Sequence, residues 1–131
     1  PVIAARPWLT GVAVPTRWEA LVEEPVRAEL LVNCTSVGMA GGPVGFPGEL
    51  RLDEMPASGR VVDAVYPRPP GGLLARAEAR GLAVQDGLPM LLWQGVRALE
   101  RWLEISASAE VVAAMRAALY AENLPDGPGP R

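Results

Sequence analysis

The chain has 131 residues, half of them hydrophobic, enough for one buried core and too few for two independent domains. Fifteen acidic residues against twelve basic ones give a net charge of −3, which argues against the broad positive field that nucleic-acid binding requires. The basic residues are all Arg, with neither Lys nor His, and Cys34 is the single cysteine, so side-chain amines, imidazoles, an internal disulfide and a zinc site are excluded. No apolar run approaches the roughly 20 residues of a membrane span, and no signal sequence is recognisable, which makes the cytoplasm the expected location.

In chain order, Val2 to Ala5 reads as a buried strand with nothing before it, so the chain is expected to be a piece of something longer. Thr16, with Glu19 three residues on, has capping-box spacing for a short helix through Glu24. Leu30 to Asn33, Val61 to Val65 and a short Leu82 to Gln85 are nearly continuous in apolar residues, which predicts strands buried on both faces of a parallel sheet. Gly41 to Gly48 is a Gly- and Pro-rich loop, and Leu73 to Arg80 is a helix closed by Gly81 at C′. From Leu88 to Leu103, apolar residues recur at spacings of three and four, with Pro89 in the first turn where it is tolerated. A last helix runs from Ala109 to Ala121 behind Ser108 as N-cap, with Val111, Val112, Met115 and Leu119 on one face, and residues 123–131 read as a disordered tail. Alternating strands and helices give an α/β class.

Chemistry gathers where strands end. In open α/β sheets, ligands bind beyond the carboxyl ends of the strands, where Asn33, Thr35 and Ser36 sit; the same residues are also suited to closing the strand with Asx and Ser/Thr turns. Cys34 is expected to be a small buried filler, since no His is present to activate it. Asp63 lies inside an apolar strand and needs hydrogen-bond partners, with neighbouring backbone amides the first candidates. Tyr66 ends that strand at the rim, placed to offer its phenol to a polar ligand or to sit there as a half-buried aromatic. Gly87 permits close backbone approach before a helix whose free first-turn N–H groups suit a polar ligand atom. Met90, Gln94, Arg97 and Arg101 fall opposite the leucine stripe, where Gln94 can both donate to and accept from a hydroxyl or simply face solvent.

Taken in order, Asn-Cys-Thr-Ser-Val-Gly-Met, Asp-Ala-Val-Tyr, Leu-Leu-x-x-Ala-x-x-x-Gly and Asp-Gly-x-x-Met-Leu-x-x-Gln, with Trp102 downstream, resemble the C-terminal half of shikimate dehydrogenases over about Leu30 to Leu119. The resemblance implies a partial Rossmann-like, doubly wound parallel sheet with C-terminal helices. It divides the chain into a partial NADP-binding domain (1–87), C-terminal helices (88–122) that also pack on a substrate domain absent here, and the tail. It implies NADP as cofactor and shikimate or 3-dehydroshikimate as substrate, in the biosynthesis of aromatic amino acids, with no nucleic-acid or membrane partner and a homodimer left open. By motif position, Asn33, Thr35, Gly38 and Met39 fall beside the nicotinamide half of the cofactor, as do Gly87 and Met90. Tyr66 and Gln94 fall at the substrate, and Arg6 at the adenosine 2′-phosphate.

The family's catalytic Lys and Asp and its Gly-rich pyrophosphate turn have no counterpart in this chain, so no catalytic residue is assigned and the 131 residues alone are expected to be inactive. A quinate/shikimate dehydrogenase using NAD and a non-catalytic ligand-binding protein of the same fold remain as alternatives.

Overall fold

The computed structural model describes residues 16–23 and 25–122. Helix α1 (Trp18–Glu23) is followed by strand β1 (Leu30–Asn33), strand β2 (Arg60–Asp63), helix α2 (Leu73–Ala79), strand β3 (Ala83–Gln85) and helices α3 (Leu88–Leu103) and α4 (Ala109–Glu122). The strands form a parallel sheet in the order β1-β2-β3, with Leu31, Val61 and Val84 in register across it. The Val2 to Ala5 strand and the tail lie outside the described residues.

Since side chains alternate along a strand, Leu31, Val61 and Val84 share one face. On it they meet α1, α2 and the crossing segment 50–55, in a cluster that includes Leu50, Leu52, Met55, Leu74, Ala77 and Leu82. Val61 is fully buried there, worth about 1.5–3 kcal/mol. The opposite face corrects the expectation of burial on both sides in part: Val62 is half-buried, but Leu30 is 54% exposed and Val32 46%. Continuous apolar strands alone do not say whether the second layer is present. Cys34 is likewise exposed rather than a buried filler, because it follows the inward-facing Asn33 and so lies out of phase with the core.

The long crossing from β1 to β2 contains no helix and is tied down by Arg76 of α2 and by Arg80, which caps that helix. Arg76 donates to the Leu50 carbonyl (2.6 Å) and Arg80 to the Asp53 carbonyl (2.5 Å), while Val26 N–H donates to Arg51 O (2.8 Å). Helix α2 ends as expected. Gly81 has φ of +77°, its N–H donates to Glu78 O, and Leu82 N–H donates to Ala77 O, the two bonds of a Schellman motif with its apolar Ala77–Leu82 pair. Helix α1 differs at its start: Trp18 is its first residue and Glu19 is paired with Arg17, so Thr16 forms no capping box.

Helix α3 spans the expected residues, burying Leu88, Leu92 and Val96, and packs on α4 where a Cβ on Gly95 would stand 3.2 Å from Met115 Cε. On α4, Val112, Met115 and Leu119 are half-buried but Val111 is exposed. Ser108 Oγ lies 3.4 Å from Val111 N, as the N-cap assignment requires. No helix among the described residues is long and apolar enough to cross a membrane.

The α3–α4 junction depends on Glu100. Its Oε1 accepts the Ala107 N–H (3.1 Å) and its Oε2 the Arg97 guanidinium (2.8 Å), and these two bonds, the first foremost, hold its pKa below the ordinary 4.5. A depressed folded-state pKa contributes stability above the unfolded value and loses it as pH falls through the folded one. The junction is therefore expected to loosen on acidification below about pH 4.5, and Glu100→Gln to flatten that acid limb. Thermal midpoints between pH 7 and pH 3 check this; equal acid slopes for both proteins would remove Glu100 from the account.

Candidate cofactor and substrate site

The candidate residues meet at the carboxyl ends of the three strands. Register pairs Asn33 with Asp63 directly across β1 and β2, and both side chains point to the covered face and are buried. Asn33 Nδ2 donates to Asp63 Oδ1 (2.8 Å), which also accepts the Val65 N–H (3.0 Å). Asn33 Oδ1 accepts from both the Thr35 N–H (3.0 Å) and the Thr35 hydroxyl (2.7 Å), and Thr35 Oγ1 accepts the Val37 N–H (3.2 Å). Consecutive Asx and Ser/Thr turns thus shape the 34–38 loop, as the local reading of these residues expects. Asn33 spends its carbonyl oxygen and one N–H of its amide inside the protein, shaping the loop that leads to Gly38.

That loop turns at Gly38, whose φ of +89° suits glycine, and a Cβ there would lie 3.1 Å from Pro69 Cγ. Gly38 and Met39 line a cavity of about 570 Å³ between this loop and Pro69–Leu73, with Phe46 on its wall and Asp63 reaching it from the sheet. Arg68, bound through both guanidinium Nη atoms to Glu78 of α2, ties the Pro67–Gly72 segment to the helix, and this contact raises the Arg68 pKa and lowers that of Glu78.

At the third strand end, Gly87 abuts β2. A Cβ on Gly87 would stand 2.3 Å from the Ala64 carbonyl oxygen and 3.3 Å from Tyr66 Cδ1, so the glycine brings the start of α3 against Tyr66. The first turn of α3 has less to offer a ligand than expected: Leu88 N–H is taken by Asp86 Oδ1 (3.1 Å), and Pro89 has none. Met90 and Gln94 lie one turn apart on the exposed side of α3, together with Trp93 and Arg97, and neither lines the cavity. Arg6 lies outside the described residues. Among the described residues no cluster of His, Cys, Asp and Glu is fit to hold a metal. The Ala64 carbonyl, against which Gly87 closes, had no signal in the sequence; the Asn33–Asp63 bond did, in two polar residues ending apolar strands.

A nicotinamide nucleotide fits this arrangement in one respect: the cavity beside the Gly38–Met39 turn lies at the carboxyl ends of the strands, where open α/β sheets receive nucleotides.

Residues 87–120 match the family described as the shikimate 5′-dehydrogenase C-terminal domain. A shikimate dehydrogenase (NADP(+)) of Rhodopseudomonas palustris strain BisB18 is 44% identical over 112 residues, which are 86% of this chain and 39% of that protein. Shikimate 5-dehydrogenase of Thermus thermophilus, solved in complex with NADP(H) and shikimate, superposes with a TM-score of 0.54 at 36% identity, over 79% of this chain and 37% of that one. The ligand-free 5-ketofructose reductase of Gluconobacter sp. strain CHM43 superposes with a TM-score of 0.51 at 32% identity, over 70% of this chain and 32% of that one. The chain thus spans about two fifths of the length of the curated relatives it matches. In its C-terminal motif and its sheet, the chain is similar to a C-terminal portion of shikimate dehydrogenases.

Proposed function

We propose that the protein carrying this chain is an NADP-dependent shikimate dehydrogenase, interconverting 3-dehydroshikimate and shikimate in the cytoplasm, and that this chain supplies the nicotinamide side of its site. The observation that carries the reading is the convergence of the Asn33–Met39 loop, Tyr66 and Gly87 at three adjoining strand ends, in a chain 44% identical to a relative named for NADP(+). When bound, NADPH supplies the hydride. The chain's own contribution is placement. The loop held by Asn33 and Thr35 would bring Gly38 and Met39 to the nicotinamide half of the cofactor, as would Gly87 and Met90 from the start of α3. Tyr66 and Gln94 address the substrate, Gln94 as donor and acceptor to one hydroxyl. Arg6 is assigned to the 2′-phosphate, a doubly charged group that a guanidinium binds in bidentate fashion. Residues 1–87 serve the nucleotide and 88–122 return as helices toward the substrate side.

A second reading, a reductase for another keto-polyol, is favoured by the 32% identity to 5-ketofructose reductase. The test is turnover by the full-length protein with shikimate, quinate and 5-ketofructose, each with NADP(H) and NAD(H). Preference for shikimate with NADP is expected, and faster reduction of 5-ketofructose would replace the substrate assignment. In the same protein, Gln94→Ala is expected to raise KM for shikimate about tenfold, since one hydroxyl contact is worth on the order of 1–2 kcal/mol. An unchanged KM would take Gln94 out of the site.

A further inference from the structure

We propose that Asp63 is a positioning residue for the cofactor loop, acting through Asn33. The inference rests on the NADP reading above. A relay of hydrogen bonds runs from β2 into the loop: the Val65 N–H and Asn33 Nδ2 both donate to Asp63 Oδ1, the Thr35 N–H and hydroxyl to Asn33 Oδ1, and the Val37 N–H to Thr35 Oγ1, with every link between 2.7 and 3.2 Å. Asp63 is 2% exposed and Asn33 5%, so the first links are shielded from competing water. One carboxylate oxygen thus fixes two things, the backbone entering Tyr66 and the amide that shapes the loop reaching Gly38.

The two oxygens of Asp63 are unequal. Oδ1 carries both bonds, whereas Oδ2 has no hydrogen-bond partner among the described residues, and Asp63 borders the 570 Å³ cavity. A group needed only as an acceptor through Oδ1 is replaceable by an amide, because Asn accepts the same two bonds through its own Oδ1 and turns its NH₂ toward the cavity. A carboxylate needed for its charge, or for a ligand at Oδ2, is not.

The test uses the full-length protein with Asp63→Asn, Asp63→Ala, Asn33→Ala and their double alanine variant, read by NADPH fluorescence titration, steady-state kinetics and amide hydrogen exchange at Thr35, Val37 and Val65. Asp63→Asn is expected to bind NADPH within about twofold of wild type. Asp63→Ala and Asn33→Ala are expected to bind it about tenfold more weakly, the double variant no worse than either single one, with the loss in KM for NADP rather than in kcat and with faster exchange at the three amides. Thr35→Val, at an exposed position that leaves the core intact, is expected to speed exchange at Val37 and weaken NADPH about threefold, and so decides the matter if the alanine variants do not fold. Asp63→Asn as weak as Asp63→Ala would overturn the proposal in favour of a direct role for the charge. Alanine or valine variants with wild-type exchange and affinity would overturn it outright. A wild-type protein that does not bind NADPH refutes the functional reading instead, and exchange at the three amides then decides the relay by itself.

Discussion

Gly87→Ala is expected to destabilise the protein strongly. Gly87 has φ of −77° and ψ of −12°, ordinary helical values, so the requirement for glycine is one of space and not of backbone freedom. The added Cβ would meet the Ala64 carbonyl oxygen at 2.3 Å and its carbon at 2.7 Å, both backbone atoms of the segment leaving β2. Neither yields by a rotamer change, so the start of α3 must retreat from the strand end. Overpacking of this kind costs about 1–3 kcal/mol or more, a large share of the roughly 5–15 kcal/mol that holds a domain together. The thermal midpoint should fall by about 10 °C, at several degrees per kcal/mol for a domain of this size, and Tyr66 should move with the helix because its ring lies on the same side of Gly87. Gly95→Ala is the control. Its Cβ would meet only the flexible end of Met115, and alanine is favoured over glycine in a helix by about 1 kcal/mol, so that variant should hold its midpoint or gain. Equal losses at both glycines would show that close approach at Gly87 is not the cause.

The contrast between these glycines also marks what a sequence discloses. Helix α3 was readable to the residue because Leu88, Leu92 and Val96 repeat at the period of the helix and Pro89 marks its first turn, both local signals. The Schellman end of α2 was equally readable from Gly81. The Asn33–Asp63 bond depends on the register of two strands 30 residues apart, which nothing local specifies, although the cost of burying a lone carboxylate already required a partner. Least readable was the open part of the sheet face: Leu30 and Val32 look the same in sequence whether or not a layer lies over them. Cys34 is exposed for a related reason: its residue type favours burial, but the phase of the strand decides it. At Thr16 the capping-box spacing was present, yet the helix begins two residues later, as happens when a short helix is positioned by packing, here the stacking of Trp18 on Phe46 at 5.4 Å, and not by its cap.

The 131-residue chain on its own is expected to self-associate at micromolar concentration. Two apolar surfaces motivate this. On α3 and just beyond it, Met90, Trp93, Trp102, Leu103 and Ile105 are exposed, Trp102 to 79%, although the same helix already buries Leu88, Leu92 and Val96 on its other side. A helix apolar on two sides is normally covered on two sides. The second surface is the open part of the sheet face with Leu30 and Val32, bordered by β1, which among the described residues has a strand on only one side. Open edges and contiguous apolar patches are both adhesive. Since the net charge is only −3, long-range repulsion between copies is weak and does not offset this. Sedimentation velocity should therefore show dimers or larger species. Trp102→Glu with Leu103→Glu, at positions whose side chains already face solvent, should shift the population toward monomer without lowering the thermal midpoint, because no buried contact is lost. A single monomeric species with a cooperative thermal transition in the unsubstituted chain would show that it closes its own core, and would favour the stand-alone binding protein over a portion of a larger enzyme.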